Sequence, residues 1–135
     1  MTVVDTSVWI EYLRGNKEFS EPLIKLLNNR KVIALSAVFG ELLQGARTKR
    51  ENAIILGFWE NLPHASENSL FIEAGNLSKE YSLISNGVGL IDCYILVFAM
   101  KYDFAVWTLD KMMQDAMDQI ETRTSNTFFC SMNHC

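Results

Sequence analysis

Four acidic residues occupy positions where a carboxylate is costly or conspicuous. Asp5 ends the apolar run of MTVVDTS, Glu41 interrupts AVFGELLQGA, Asp92 lies in GLIDCYILVFAM and Asp110 closes FAVWTLD. Burying an ionised carboxylate costs several kcal/mol unless it is paired, capped or bound to a metal. Gathered in one crevice, four such groups would repel one another and could not all stay ionised without cations. An all-oxygen set lacking His and Cys suits Mg²⁺ or Mn²⁺ better than Zn²⁺. Such ions polarise a phosphoryl oxygen and lower the pKa of a bound water.

Each acid alone also has a structural reading. Asp5 and Asp110, at strand-to-helix junctions, are natural N-caps, and Asp92 could cap a helix CYILVFAMKYD after a turn at Gly87 and Gly89. Glu41 could be a solvated helix residue, although Phe39, Leu42 and Leu43 leave little of its helix polar, and Ala37 and Gly45 give its face small neighbours.

The hydrophobic periods supply the elements that must position these groups. MTVVDT, KVIALS and FAVWTLD read as short buried strands. Helices are predicted over SVWIEYL, EPLIKLLNN with Pro22 in its first turn, AVFGELLQGA capped by Ser36, and TKRENAIILGFWENL. A long amphipathic helix SLFIEAGNLSKEYSLISNG stopping at Gly87, a buried helix from Leu90 and a closing helix KMMQDAMDQI complete the pattern, with ETR as a candidate edge strand. Strands alternating with helices imply an α/β fold of parallel strands joined by right-handed crossovers. In such sheets the ligand crevice lies at the carboxyl ends of the strands, where strand order reverses. Asp5 and Asp110, with Thr108 between them, sit at two such ends.

The 135 residues, 49% of them hydrophobic, suffice for one domain and one core. No apolar run reaches the ~20 residues of a membrane helix, and Asp5 intrudes before a signal-peptide core forms, so a soluble, cytoplasmic protein is expected. Cys93, Cys130 and Cys135 suit a reduced compartment better than a disulfide framework. Cys130, His134 and Cys135 lack a second ligand cluster for zinc, so residues 124–135 read as a tail. The net charge of −4 is unevenly spread: residues 1–50 carry eight Lys/Arg against five Asp/Glu, and residues 51–135 four against eleven. Arg47, Lys49 and Arg50 form a local basic stretch, read equally well as a phosphate contact or a solvated helix end.

The ordered pieces VVDTSVWIEYLRG, GELLQG, GVGLIDCYILVFA and VWTLDK together closely resemble the PIN-domain ribonucleases, in particular the VapC toxins of type II toxin–antitoxin pairs, over residues 2 to about 123. The resemblance implies a three-layer α/β/α sandwich with a central parallel sheet of four to five strands, the PIN domain spanning residues 1–123. It further implies a Mg²⁺- or Mn²⁺-dependent endoribonuclease in which metal-activated water attacks an RNA phosphodiester. Asp5, Glu41, Asp92 and Asp110 would be its catalytic and metal-holding acids, with Thr6, Ser7 and Thr108 as supporting hydroxyls. A homodimer and a cognate antitoxin protein are implied partners. The chain departs from many relatives after the fourth acid, where it reads Lys111-Met112-Met113; Asp115 reads as helix-surface charge.

Other classes fit less well. A haloacid-dehalogenase-type phosphotransferase needs a second Asp where this chain has Ser7, and a receiver domain needs adjacent acids at the first strand. Gly87-Val88-Gly89 opens no dinucleotide-binding motif. The remaining alternative is a non-catalytic binding protein of the same fold, its acids serving as caps and Trp9, Tyr12, Phe58 and Trp59 serving either an interface or the core.

Overall fold

The computed structural model describes residues 1–125. Three short parallel strands form the sheet: β1 (Thr2–Val4), β2 (Val32–Ile33) and β3 (Ala105–Trp107), in the order β2-β1-β3. The register pairs Thr2 with Val32 on one side and with Ala105 on the other, and Val4 with Trp107. Seven helices accompany them among the described residues: α1 (Thr6–Leu13), α2 (Lys17–Asn28), α3 (Ser36–Gln44), α4 (Lys49–Asn61), α5 (Leu70–Glu80), α6 (Leu90–Tyr102) and α7 (Lys111–Thr124). The predicted α/β class with a parallel sheet is found. The sheet has three strands among the described residues, where four to five were expected.

The missing edge strand has a physical reason. Residues 121–123, the ETR candidate, continue α7, because Met113, Ala116, Met117 and Ile120 form one buried stripe at helical spacing. The helix stops only at Ser125, which takes a left-handed conformation. The segment with Cys130, His134 and Cys135 lies outside the described residues.

Three further expectations are corrected. The helix predicted over residues 69–87 is broken: Ser82 adopts a left-handed conformation, Leu83 N–H bonds Ser78 O and Ser82 N–H bonds Lys79 O, a Schellman ending. This turn drives Leu83 into the core before a 3₁₀ turn over Ile84–Asn86 closes at Gly87, whose positive φ suits glycine. Helix α2 begins earlier than Pro22, at Lys17, because Asn16 caps it through Glu18 N–H at 3.2 Å. Ser36 is the first residue of α3 rather than its cap; Leu35 occupies that place, and Ser36 turns to Glu67.

The core confirms the packing role for the N-terminal aromatics. Trp9 is buried and meets Tyr12, Phe39 and Phe58 with ring centroids 6.0, 5.6 and 5.1 Å apart, joining α1, α3 and α4. Helix α6 is apolar all round and buried from Cys93 to Ala99, the pattern of a helix enclosed within a domain. No helix among the described residues is long and apolar enough to cross a membrane.

Candidate active site at the carboxyl ends of β1 and β3

The strand order reverses around β1, so its carboxyl end and that of β3 lie side by side. Asp5 and Thr108 are the residues immediately beyond the Val4–Trp107 pair, and Asp5 N–H continues the ladder onto Trp107 O at 2.9 Å. Thr108 Oγ1 donates to Asp5 Oδ2 at 2.7 Å and Ser7 Oγ to the same oxygen at 2.9 Å. Ser7 Oγ also accepts from Leu109 N–H at 3.1 Å, and Thr108 Oγ1 accepts from Asp110 N–H at 3.0 Å. These two hydroxyls thus stitch the start of α1 to the end of β3.

Asp5 occupies the N-cap position of α1, yet its side chain caps nothing. It is only 5% exposed. The capping reading of Asp5 is therefore corrected: its buried carboxylate takes two hydroxyls in place of the helix N–H groups. Asp110 does cap: its Oδ1 accepts from Met112 N–H at 2.9 Å and Met113 N–H at 3.4 Å, at the start of α7. Asp92 is not the N-cap of its helix, as one reading had it. The helix begins at Leu90, with Gly89 as N-cap, and Asp92 in the first turn reaches back to accept from Gly89 N–H at 3.2 Å. Glycine has no side chain to return the bond, so this is half of a capping box. Glu41, exposed on α3, accepts from Thr6 Oγ1 at 2.8 Å, which brings the helix-borne acid to the same end of β1.

The electrostatics join the four. Burial pushes the Asp92 carboxyl up to about 6, against the pull of the Gly89 N–H, and the charges of Asp5, Asp110 and Glu41 add to the rise. Asp92 therefore stands within electrostatic reach of the other three. Among the described residues no Lys or Arg forms an ion pair with any of the four acids.

Each carboxylate commits one oxygen to the protein: Asp5 Oδ2, Glu41 Oε1, Asp92 Oδ2 and Asp110 Oδ1. Among the described residues no protein donor reaches the other oxygen of any of them. That leaves four hard oxygen donors around one crevice, a set suited to Mg²⁺ or Mn²⁺. Among the described residues no group of three or more His, Cys, Asp or Glu side chains is placed to hold a metal ion. What links the four is charge, since Asp5, Asp110 and Glu41 each push the Asp92 carboxyl up.

A profile of the PIN domain matches residues 2–118. The chain belongs to the PIN domain family. PIN domains are generally nucleases and typically use divalent metal ions, which accords with an uncompensated acidic crevice where the strand order reverses. No curated protein is matched by the chain.

Two features of this PIN domain escaped the sequence reading. A cleft of about 260 Å³ opens beside the crevice, sharing Glu41 and lined by Ile10, Leu13, Arg14, Arg47 and Glu51. Its walls come from α1, α3 and the residues after α3, so no local motif announces it. Of the predicted basic stretch, only Arg47 lines this cleft. The second feature is Glu67, whose carboxylate accepts from Ser36 and from Tyr94. It lies in a loop without hydrophobic period, where sequence carries no signal of its partners. Asp115 is exposed on α7, as expected of surface charge.

Proposed function

We propose that this PIN domain is a Mg²⁺- or Mn²⁺-dependent endoribonuclease acting as the toxin of a toxin–antitoxin pair. The observation that carries the reading is the set of four carboxylates, each with one oxygen anchored to the protein and one left without a protein donor, with no Lys or Arg paired to any of them. Asp5, Asp92 and Asp110 would hold the ion directly or through water, with Glu41 completing the set. The chemistry a divalent ion supplies there is polarisation of a phosphoryl oxygen and acidification of a water. Ser7 and Thr108 fix the buried Asp5, Thr6 aims Glu41, and the N-terminus of α7 steadies Asp110. Arg14 and Arg47 in the adjoining cleft offer cationic contacts for the phosphates of an RNA strand.

The capping alternative is favoured most at Asp110, which accepts from the Met112 and Met113 N–H groups, and in part at Asp92, which accepts from Gly89 N–H. Purified protein incubated with RNA and Mn²⁺ tests the reading against chelated controls. Cleavage by the wild type and its loss in Asp5→Asn and Asp92→Asn, both still folded, are the expected results. Equal cleavage by either variant would remove this crevice from the chemistry. The homodimer and the antitoxin belong to the same proposal; exposed Phe71, Ile72 and Ile84 offer apolar contact area, and light scattering and co-purification with the product of a neighbouring reading frame check them.

A further inference from the structure

Glu67 is the only residue of the loop between α4 and α5 whose side chain bonds both α3 and α6. Its Oε2 accepts from the Ser36 N–H at 3.1 Å, and its Oε1 accepts from the Ser36 hydroxyl and, at 2.6 Å, from the Tyr94 phenol. Ser36 opens α3, the helix that carries Glu41 five residues on. Tyr94 lies on α6, two residues after Asp92. The first N–H groups of a helix have no partner within it, and an anion at that end is further favoured by the helix dipole. Glu67 meets both demands from outside the helix, doing for α3 what Leu35, its N-cap, cannot.

The bond to Tyr94 is kept on the donor side of the phenol. Burial pushes the Tyr94 hydroxyl up from its ordinary value, and the hydrogen bond to Glu67 raises it further. No Lys or Arg pairs with Glu67 among the described residues, so its charge is spent on these three donors. The loop itself is held: Pro63 O accepts from Ala34 N–H at 2.9 Å just after β2, and Ser66 O accepts from the Tyr102 hydroxyl at 2.7 Å. Glu67 thus projects from a fixed base onto two helices that also pack directly on each other.

We propose that Glu67 is a positioning residue of the acidic crevice: by tying the first turn of α3 to Tyr94 of α6 it sets the spacing of the helices that carry Glu41 and Asp92, and with it the fit of the site to a divalent ion. The inference rests on the metal-dependent reading of that crevice. Residues that orient metal-holding groups from behind cost roughly 10- to 100-fold in metal affinity or activity when removed.

The test compares wild type, Glu67→Ala and Glu67→Gln as full-length proteins. Mn²⁺ binding is measured without RNA by calorimetry, and cleavage of an RNA oligonucleotide is followed at saturating Mn²⁺. Glu67→Ala is expected to weaken Mn²⁺ binding roughly tenfold and lower kcat by a similar factor, with KM for RNA little changed. Glu67→Gln should recover most of both, since its amide oxygen still accepts from Ser36 N–H and its NH₂ group can bond either hydroxyl oxygen. A third measurement stands apart from metal and activity: the distance between spin labels at Gln44 and Lys101, in a Cys130→Ser, Cys135→Ser background, should broaden or shift in Glu67→Ala. Wild-type Mn²⁺ affinity in Glu67→Ala overturns the proposal even if its melting temperature falls. If the wild type neither binds Mn²⁺ nor cuts RNA, the functional reading of the crevice fails, and an unchanged label distance would then refute the helix-spacing role as well.

Discussion

Thr108 Oγ1 donates to Asp5 Oδ2 at 2.7 Å, joining residues 103 positions apart across the carboxyl ends of two neighbouring strands. Thr108 Oγ1 in turn accepts from Asp110 N–H, so one hydroxyl serves two of the four acids. Thr108→Val removes both bonds while keeping the shape. Leaving buried polar groups unpaired costs about 1–3 kcal/mol. Urea unfolding should show that loss, and Thr108→Ser should restore most of it; a valine variant as stable as wild type would show that the hydroxyl has no such role.

Asp92 gives the metal-free protein a pH dependence of definite sign. Its ordinary pKa of 3.8 is raised to about 6 in the fold. The folded chain therefore binds more protons than the unfolded chain between about pH 4 and pH 6, and stability falls as pH rises through that window. In chelator, the melting temperature should be higher at pH 5 than at pH 7 by this contribution. Asp92→Asn should raise the melting temperature at pH 7 and flatten the profile; a variant less stable than wild type at pH 7 would contradict an unneutralised acid at this place.

Divalent ions should reverse that penalty. Anything that binds the folded state alone stabilises by mass action, about 2.7 kcal/mol at an ion concentration ~100 times the dissociation constant. Addition of Mn²⁺ is expected to raise the melting temperature, chelation to return it, and Asp5→Asn or Asp92→Asn to diminish the shift. A melting curve indifferent to Mg²⁺ and Mn²⁺ at millimolar levels would favour a purely structural set of acids.

At Asp110 the capping and metal-holding roles can be separated by chemistry. Asn caps a helix about as well as Asp, whereas Ala costs about 1 kcal/mol. Asp110→Asn should therefore unfold near the wild-type midpoint and lose Mn²⁺-dependent cleavage; Asp110→Ala should lose both. Retained cleavage in Asp110→Asn would leave this residue as a cap and nothing more.

The sequence made the strand ends legible because buried strands of this kind are short β-branched runs, and an acid that closes one stands out. The placement of Asp5 and Asp110 follows from those runs, and Asp92 was visible as a carboxylate in an apolar helix. The start of α6 at Leu90 was legible in the same apolar run, whereas the capping reading of Asp92 missed that Gly89 takes the N-cap place. The break at Ser82 and the extension of α7 through residues 121–123 were hidden for one reason: both are settled by which side chains enter the core, Leu83 in one case and Ile120 in the other. Glu67 left no trace because its partners, Ser36 and Tyr94, are 31 and 27 residues away. The apposition of Glu41 to Thr6 depends on how α3 lies against α1, a tertiary relation that no local pattern encodes.

The pairing of β1 with β3 bears on how the chain is made. Thr2 can find its partner Ala105 only once the chain has been made that far, and Thr108 and Asp110 come later still. A growing chain on the ribosome thus carries Asp5 and Glu41 before the β3 wall that stands beside them has been made. By this topology the acidic crevice stays incomplete until the chain has been made through Asp110.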